Sequence, residues 1–150
     1  MTAVIKRNDF PSPAALADAL ADRIARELAG AIAARGAASL AVSGGKTPVA
    51  LFQALSRRPL DWSKVTVTLV DERLVPDSDE RSNARLVVQN LLQGEAVRAA
   101  FLPLYSAADS PDAAARAAER RLAPVALPFD VVVLGMGGDG HTASFFPDAP

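Results

Sequence analysis

Leu16, Leu20, Ile24, Leu28 and Ile32 recur at every fourth position, a spacing that lines one side of a helix. Ser12 is placed to accept a hydrogen bond from free amides, and Pro13 suits the first helical position. A helix from Pro13 to about Ala34 is predicted, with Gly36 ending it. The pattern then shifts to short apolar runs. Ser39 to Val42 and the β-branched Val65 to Val70 read as strands. Phe101 to Tyr105 reads as a further strand, placed at a sheet edge by Pro103. Phe129 to Leu134 is the continuous apolar run expected of a strand buried on both faces of a parallel sheet. Between these runs lie helical stretches from Pro48 to Leu55 (Thr47 as cap), from Asn83 to Leu92, and from Pro111 to Leu122 (Ser110 as cap). Strands alternating with helices predict an α/β fold, a mainly parallel sheet flanked by helices in a Rossmann-like arrangement. The 150 residues fit a single domain.

Half of the residues are apolar and 22% are charged, so a packed core is expected and disorder is not. Net charge is −1, which gives no basic surplus for a nucleic-acid partner. Cysteine is absent, which removes disulfides, thiolate metal sites and cysteine nucleophiles. The start, Met1 to Arg7, lacks a basic-then-apolar signal pattern, and no apolar run reaches membrane-spanning length. A soluble cytoplasmic protein is expected.

Ligands of open α/β sheets bind outside the carboxyl ends of the strands, and three unusual loops follow strand ends here. In Ser43-Gly44-Gly45-Lys46-Thr47-Pro48, glycines let backbone amides approach an anion, the helix start adds positive charge, and Lys46 is a mobile cation. A small phosphorylated ligand is the natural guest. A tight strand-to-helix turn explains the same glycines without a ligand. A Walker A loop is excluded, because Leu40 stands where that pattern needs glycine. Asp71-Glu72-Arg73 follows the second strand, and adjacent acids in a loop are as readily solvated surface. In Ser82-Asn83-Ala84-Arg85, Ser82 is a helix cap, while Asn83 and Arg85 add donors.

The third loop, Gly135-Met136-Gly137-Gly138-Asp139-Gly140-His141-Thr142-Ala143-Ser144, contains the spacing of a dinucleotide fingerprint. That reading is weak: the chain ends ten residues after Gly140, and Asp139 opposes a pyrophosphate. His141 is the only histidine. A lone histidine is commonly an ordinary surface or core residue, and Asp-Gly is a common turn pair. An imidazole near pKa 6.5 with a carboxylate two residues away can instead take a proton from water at neutral pH. No Gly-x-Ser-x-Gly elbow and no zinc-ligand cluster accompany it. Direct attack by water on a reactive electrophile suits this inventory.

Taken together, Ser43-Gly44-Gly45-x-Thr47-Pro48, Asp71-Glu72-Arg73, Ser82-Asn83-x-Arg85 and Gly135-Met136-Gly137-x-Asp139-Gly140-His141-Thr142-Ala143-Ser144 resemble the 6-phosphogluconolactonase family in residue type and order, from about Leu40 to Pro147. The resemblance implies hydrolysis of 6-phospho-D-glucono-1,5-lactone in the oxidative pentose phosphate pathway, with no cofactor or metal. It implies a fold shared with glucosamine-6-phosphate deaminase and ribose-5-phosphate isomerase. The related deaminases continue the histidine loop with an acidic residue, whereas His141-Thr142-Ala143-Ser144-Phe145-Phe146-Pro147 has none. On this resemblance His141 is the catalytic base and Asp139 its partner. Arg73, Lys46 and Arg85, with the amides of Gly44 and Gly45 and the neighbouring Thr47, hold the phosphate. Asp71 and Asn83 bind sugar hydroxyls or order the loops, and the amides from Gly137 to Gly140 are oxyanion donors. Family members are longer and run on from a helix that starts at the His-Thr-Ala-Ser motif. An incomplete sheet face and weak or no activity are therefore expected of these 150 residues. Two alternatives stand: an isomerase or deaminase on the same fold, and a non-catalytic sugar-phosphate sensor.

Overall fold

The computed structural model describes residues 4–149; Met1–Ala3, part of the stretch read for a signal pattern, and Pro150 lie outside them. Four strands form one parallel sheet: β1 (Ala38–Val42), β2 (Val65–Leu69), β3 (Ala100–Leu102) and β4 (Val131–Val133). Their order across the sheet is β3-β2-β1-β4. The chain moves outward from β1 to β2 to β3, then returns to the other side of β1. This reversal creates a crevice between the carboxyl ends of β1 and β4, where the loops leaving two adjacent strands diverge. β3 is an edge strand, as Pro103 predicts.

Helix α1 (Pro13–Arg35) starts with the Ser12 side chain accepting from Ala15 N at 3.1 Å and stops at Gly36, whose φ of 79° is left-handed. Its buried stripe is Ala17, Ala21, Ile24, Leu28 and Ala31, while Leu16 is 44% exposed. Only Ile24 and Leu28 of the predicted ladder are fully buried. An unbroken four-residue step advances 400° and drifts around a helix of 3.6 residues per turn, whereas alternating steps of three and four stay on one side. Ala17 and Ala21 are buried on α1, which packs against α2 (Val49–Leu55). Arg58, just past α2, adds ion pairs to Asp18 and Asp22 of α1. Next to it Trp62, the sole tryptophan, is 1% exposed and donates from Nε1 to Arg58 O at 3.3 Å. Trp62 opens a single 3-10 turn, and a second, Gly94–Arg98, precedes β3.

The cap of α2 differs from its sequence reading. Pro48 occupies the cap position with helical backbone, and Thr47 makes no capping bond. Helices α3 (Asn83–Asn90) and α4 (Pro111–Leu122) are capped by Ser82 and Ser110 as the sequence predicts.

β4 is held in register by Asp130. Its carboxylate accepts from Ser39 N at 2.8 Å, its own amide donates to Ser39 Oγ at 3.1 Å, and Arg35 pairs with it. All five residues of β1 are buried, but in β4 Val132 is 47% exposed. Among the described residues β4 pairs with β1 alone, and no element covers the face that carries Val132. Beyond it Leu134 and Met136 are also exposed. Among the described residues, no helix is long and apolar enough to cross a membrane.

Candidate active site

A cleft of about 420 Å³ opens at the crevice between β1 and β4. Ser43, Gly44, Gly45 and Thr47 line it from the β1 loop, and Gly135, Met136, Gly137 and His141 from the β4 loop. Asp71, Arg73 and Asn83 complete its polar side, while Leu16 and Leu20 of α1 and Leu51 of α2 form an apolar wall. The sequence reading missed that wall and gave no separate role to Ser43, which is 9% exposed at the end of β1. Ser43 could have been found from its place at the carboxyl end of a buried strand. The apolar wall left no such sign, since Leu16 reads as an ordinary core position.

Lys46 and Arg85 do not gather as the sequence suggests, while Asp139 stands against His141. Lys46 is exposed and is not part of the cleft lining. Asp139 stands behind His141, its side chain 59% exposed. Arg85 turns away altogether: it donates to Ser78 O at 2.6 Å and lines a separate cavity near Tyr105. The first turn of α3 aims Asn83 at the cleft and Arg85 at the loop before it, because residues two apart on a helix diverge.

Asp71-Glu72-Arg73 divides its tasks. Asp71 faces the cleft, and its carbonyl accepts from Asn83 Nδ2 at 3.2 Å. Arg73 is exposed at the cleft rim. Glu72 turns to α3, where its carboxylate accepts from the amides of Asn83 (2.7 Å) and Ala84 (2.8 Å) and from Ser82 Oγ (3.2 Å). A carboxylate on the free amides of a helix start satisfies them and complements the helix dipole. Glu72 is therefore the anchor of α3, a role the sequence reading gave to Ser82 alone. Replacing Glu72 with alanine is expected to destabilise the fold by about 1–2 kcal/mol, the cost typical of a lost cap. Thermal unfolding should register a Tm lower by about 2–8 °C.

Asn83 is 4% exposed, and its carboxamide fills the space where Gly44 has no side chain. A Cβ on Gly44 would overlap that carboxamide. The glycine thus joins the β1 loop to α3 and keeps its own backbone open to the cleft.

In the β4 loop, the amide of Gly140 (φ 86°) donates to Gly137 O at 2.9 Å, and that of Gly137 donates to His141 O at 2.8 Å. This closed turn brings Asp139 Oδ1 to 2.5 Å from His141 Nδ1 and 3.1 Å from the His141 amide. The hydrogen bond from the imidazole, followed by the one from the His141 amide, holds the Asp139 carboxyl below the usual carboxylate range. An ionised Asp139 can only accept, so Nδ1 carries the shared proton, and whenever the imidazole is neutral Nε2 holds the lone pair. The Asp139–His141 contact is thus present, and it favours the tautomer with the proton on Nδ1. The glycine spacing that mimics a dinucleotide fingerprint serves a different end, since Gly137 makes room for the imidazole. Among the described residues, no cluster of three or more His, Cys, Asp or Glu side chains could hold a metal ion.

Residues 11–150 match the family described as glucosamine-6-phosphate isomerases/6-phosphogluconolactonase. The chain belongs to this family. The 6-phosphogluconolactonase of Rhizobium meliloti (strain 1021) is 65% identical over 138 residues, 92% of this chain and 60% of that protein. That of Pseudomonas aeruginosa (strain PAO1) is 53% identical over 93% of this chain and 58% of its own length. The crystal structure of a 6-phosphogluconolactonase from Shewanella baltica OS155 superposes with a TM-score of 0.90 at 51% identity, covering 92% of this chain and 59% of that one. A monomeric glucosamine-6-phosphate deaminase, at 19% identity and a TM-score of 0.73, shares the fold. The chain thus spans about 60% of the length of these lactonase relatives, and the family's α/β architecture is present in it.

Proposed function

We propose that the protein hydrolyses 6-phospho-D-glucono-1,5-lactone to 6-phosphogluconate, with His141 as general base. One observation carries the reading: an imidazole backed by an ionised carboxylate faces a glycine-rich anion loop across a single cleft. Near relatives named for this activity support it. Water attacks the lactone carbonyl carbon and gives its proton to His141 Nε2. The bond from that carbon to the ring oxygen then breaks, and the imidazolium returns the proton to the departing oxygen. Asp139 stabilises the imidazolium between the two steps. Charge gathering on the carbonyl oxygen is met by backbone amides of the Gly137–Gly140 loop. The phosphate lies against the amides of Gly44 and Gly45 beside Thr47, with Arg73 and the neighbouring Lys46 as cations. Arg85, bonded to Ser78 O, is left to order the loop.

None of these steps calls for a metal or cofactor. The reading places the protein in the cytoplasm, where a charged sugar phosphate is retained, and needs no nucleic-acid partner. The test is an assay of the complete reading frame with the lactone, corrected for spontaneous opening, and with glucosamine 6-phosphate. Lactone turnover without ammonia release is expected. Ammonia release would establish the deaminase alternative, and tight binding without turnover the sensor.

A further inference from the structure

The sequence predicts that a helix starts at the His-Thr-Ala-Ser motif, but the backbone instead reverses there. Thr142 N donates to Phe145 O at 3.2 Å and Phe145 N to Thr142 O at 3.0 Å. The turn requires Ala143 at φ 52°, the only positive φ at a non-glycine among the described residues. An alanine holds such a conformation only where its surroundings impose it.

Two contacts do so, both made by residues that follow Ala143. Ser144 Oγ donates to Asp71 Oδ2 at 2.8 Å, across 73 positions of sequence. The Phe146 ring stacks on His141 with centroids 4.8 Å apart and planes at 27°. Asp71 is a firm anchor, since Asn83 Nδ2 binds its carbonyl and lies 3.5 Å from Oδ1, and Asn83 is buried against Gly44. Asp139 and Gly137 fix the imidazole along its edge. Phe146 reaches its ring face only because the chain turns back.

The geometry points to Ser144 as a positioning residue: through Asp71 it locks the 142–145 turn in the form that lays Phe146 on His141. Asp71 thereby serves the loop. This deepens the lactonase reading, yet it has a readout that does not depend on it. His141 is the only histidine, so its imidazole gives a single set of ring resonances.

The test compares Ser144→Ala and Ser144→Thr with the parent chain, first by NMR and then by kinetics on the complete reading frame. Ser144→Ala is expected to lose the nuclear Overhauser contacts between the His141 and Phe146 rings. Its imidazole resonances should move toward those of free histidine, and Ser144→Thr, which keeps the hydroxyl, should restore both. With the lactone, kcat should fall about tenfold or more in Ser144→Ala and KM change by less than about twofold, since the base is misplaced while substrate ligands stay. Unchanged ring contacts in Ser144→Ala would overturn the proposal. So would a raised KM at constant kcat, which would make Ser144 a substrate ligand. A protein inert toward the lactone refutes only the lactonase reading, and the NMR comparison then decides the positioning role.

Discussion

Glutamine in place of His141 should slow lactone opening by about 10²–10⁴-fold in kcat, the range typical of a lost general base, with little change in KM. These 150 residues hold no second histidine to take over. Asp139 is a poor substitute, because its depressed pKa makes it a weaker base than an ordinary carboxylate. Glutamine keeps approximate size and polarity but cannot accept and return a proton. In the same variant the Asp139 carboxyl loses its main partner and should titrate closer to the ordinary carboxylate range, which carboxyl ¹³C NMR can follow. Steady-state rates corrected for spontaneous hydrolysis decide the matter. Turnover within a few-fold of the parent would remove His141 from the chemistry.

A single methyl group at position 137 should be nearly as damaging. An ideal Cβ on Gly137 would overlap Cε1 and Nδ1 of His141 and stand 2.9 Å from Asp139 Oδ1. Either the imidazole swings off Asp139, or the turn closed by the Gly140 N to Gly137 O bond opens. Misplacing a catalytic group by about 1 Å can cost on the order of a hundredfold in rate, and a loss of that size is expected for Gly137→Ala. Gly138 is the internal control. A Cβ there meets nothing within 4 Å and its φ is not positive, so Gly138→Ala should stay near parental activity. Thermal stability should be close to parental in both, because the loop lies outside the core. Equal losses in the two variants would show that the loop needs flexibility at both glycines and that clearance for His141 is not the issue.

The alternation of strands and helices was legible because each apolar run is short, bounded by a turn signal, and followed by a serine cap or a proline. The parallel sheet follows from that alternation, and Pro103 marks its edge. Burial was less legible. The regular ladder on α1 suggested a stripe offset from the buried one, since Ala17 and Ala21 are buried while Leu16 is exposed. β4 reads as a central strand by its run of valines; among the described residues it pairs with β1 alone.

At the site, residue types pointed to chemistry, while connections stayed hidden. The Asp139–His141 contact is local, and its two-residue spacing suggested it without establishing it. The Ser144–Asp71, Asn83–Asp71 and Glu72–Ala84 bonds join separate loops, and no periodicity links them. Arg85 shows the converse. It sits within a suggestive motif, but the direction of its helix position carries it to the other cavity.

Trp62 gives this molecule an optical property of its own. It is the one tryptophan, sealed in the core beside the end of α2, away from the cleft lining. Its emission therefore follows melting of the sheet and helices, while the lone imidazole reports on the β4 loop. Loss of the loop's order before the core melts would leave the fluorescence unchanged and alter the proton spectrum. Concurrent changes would mean that the loop and the core unfold as one unit.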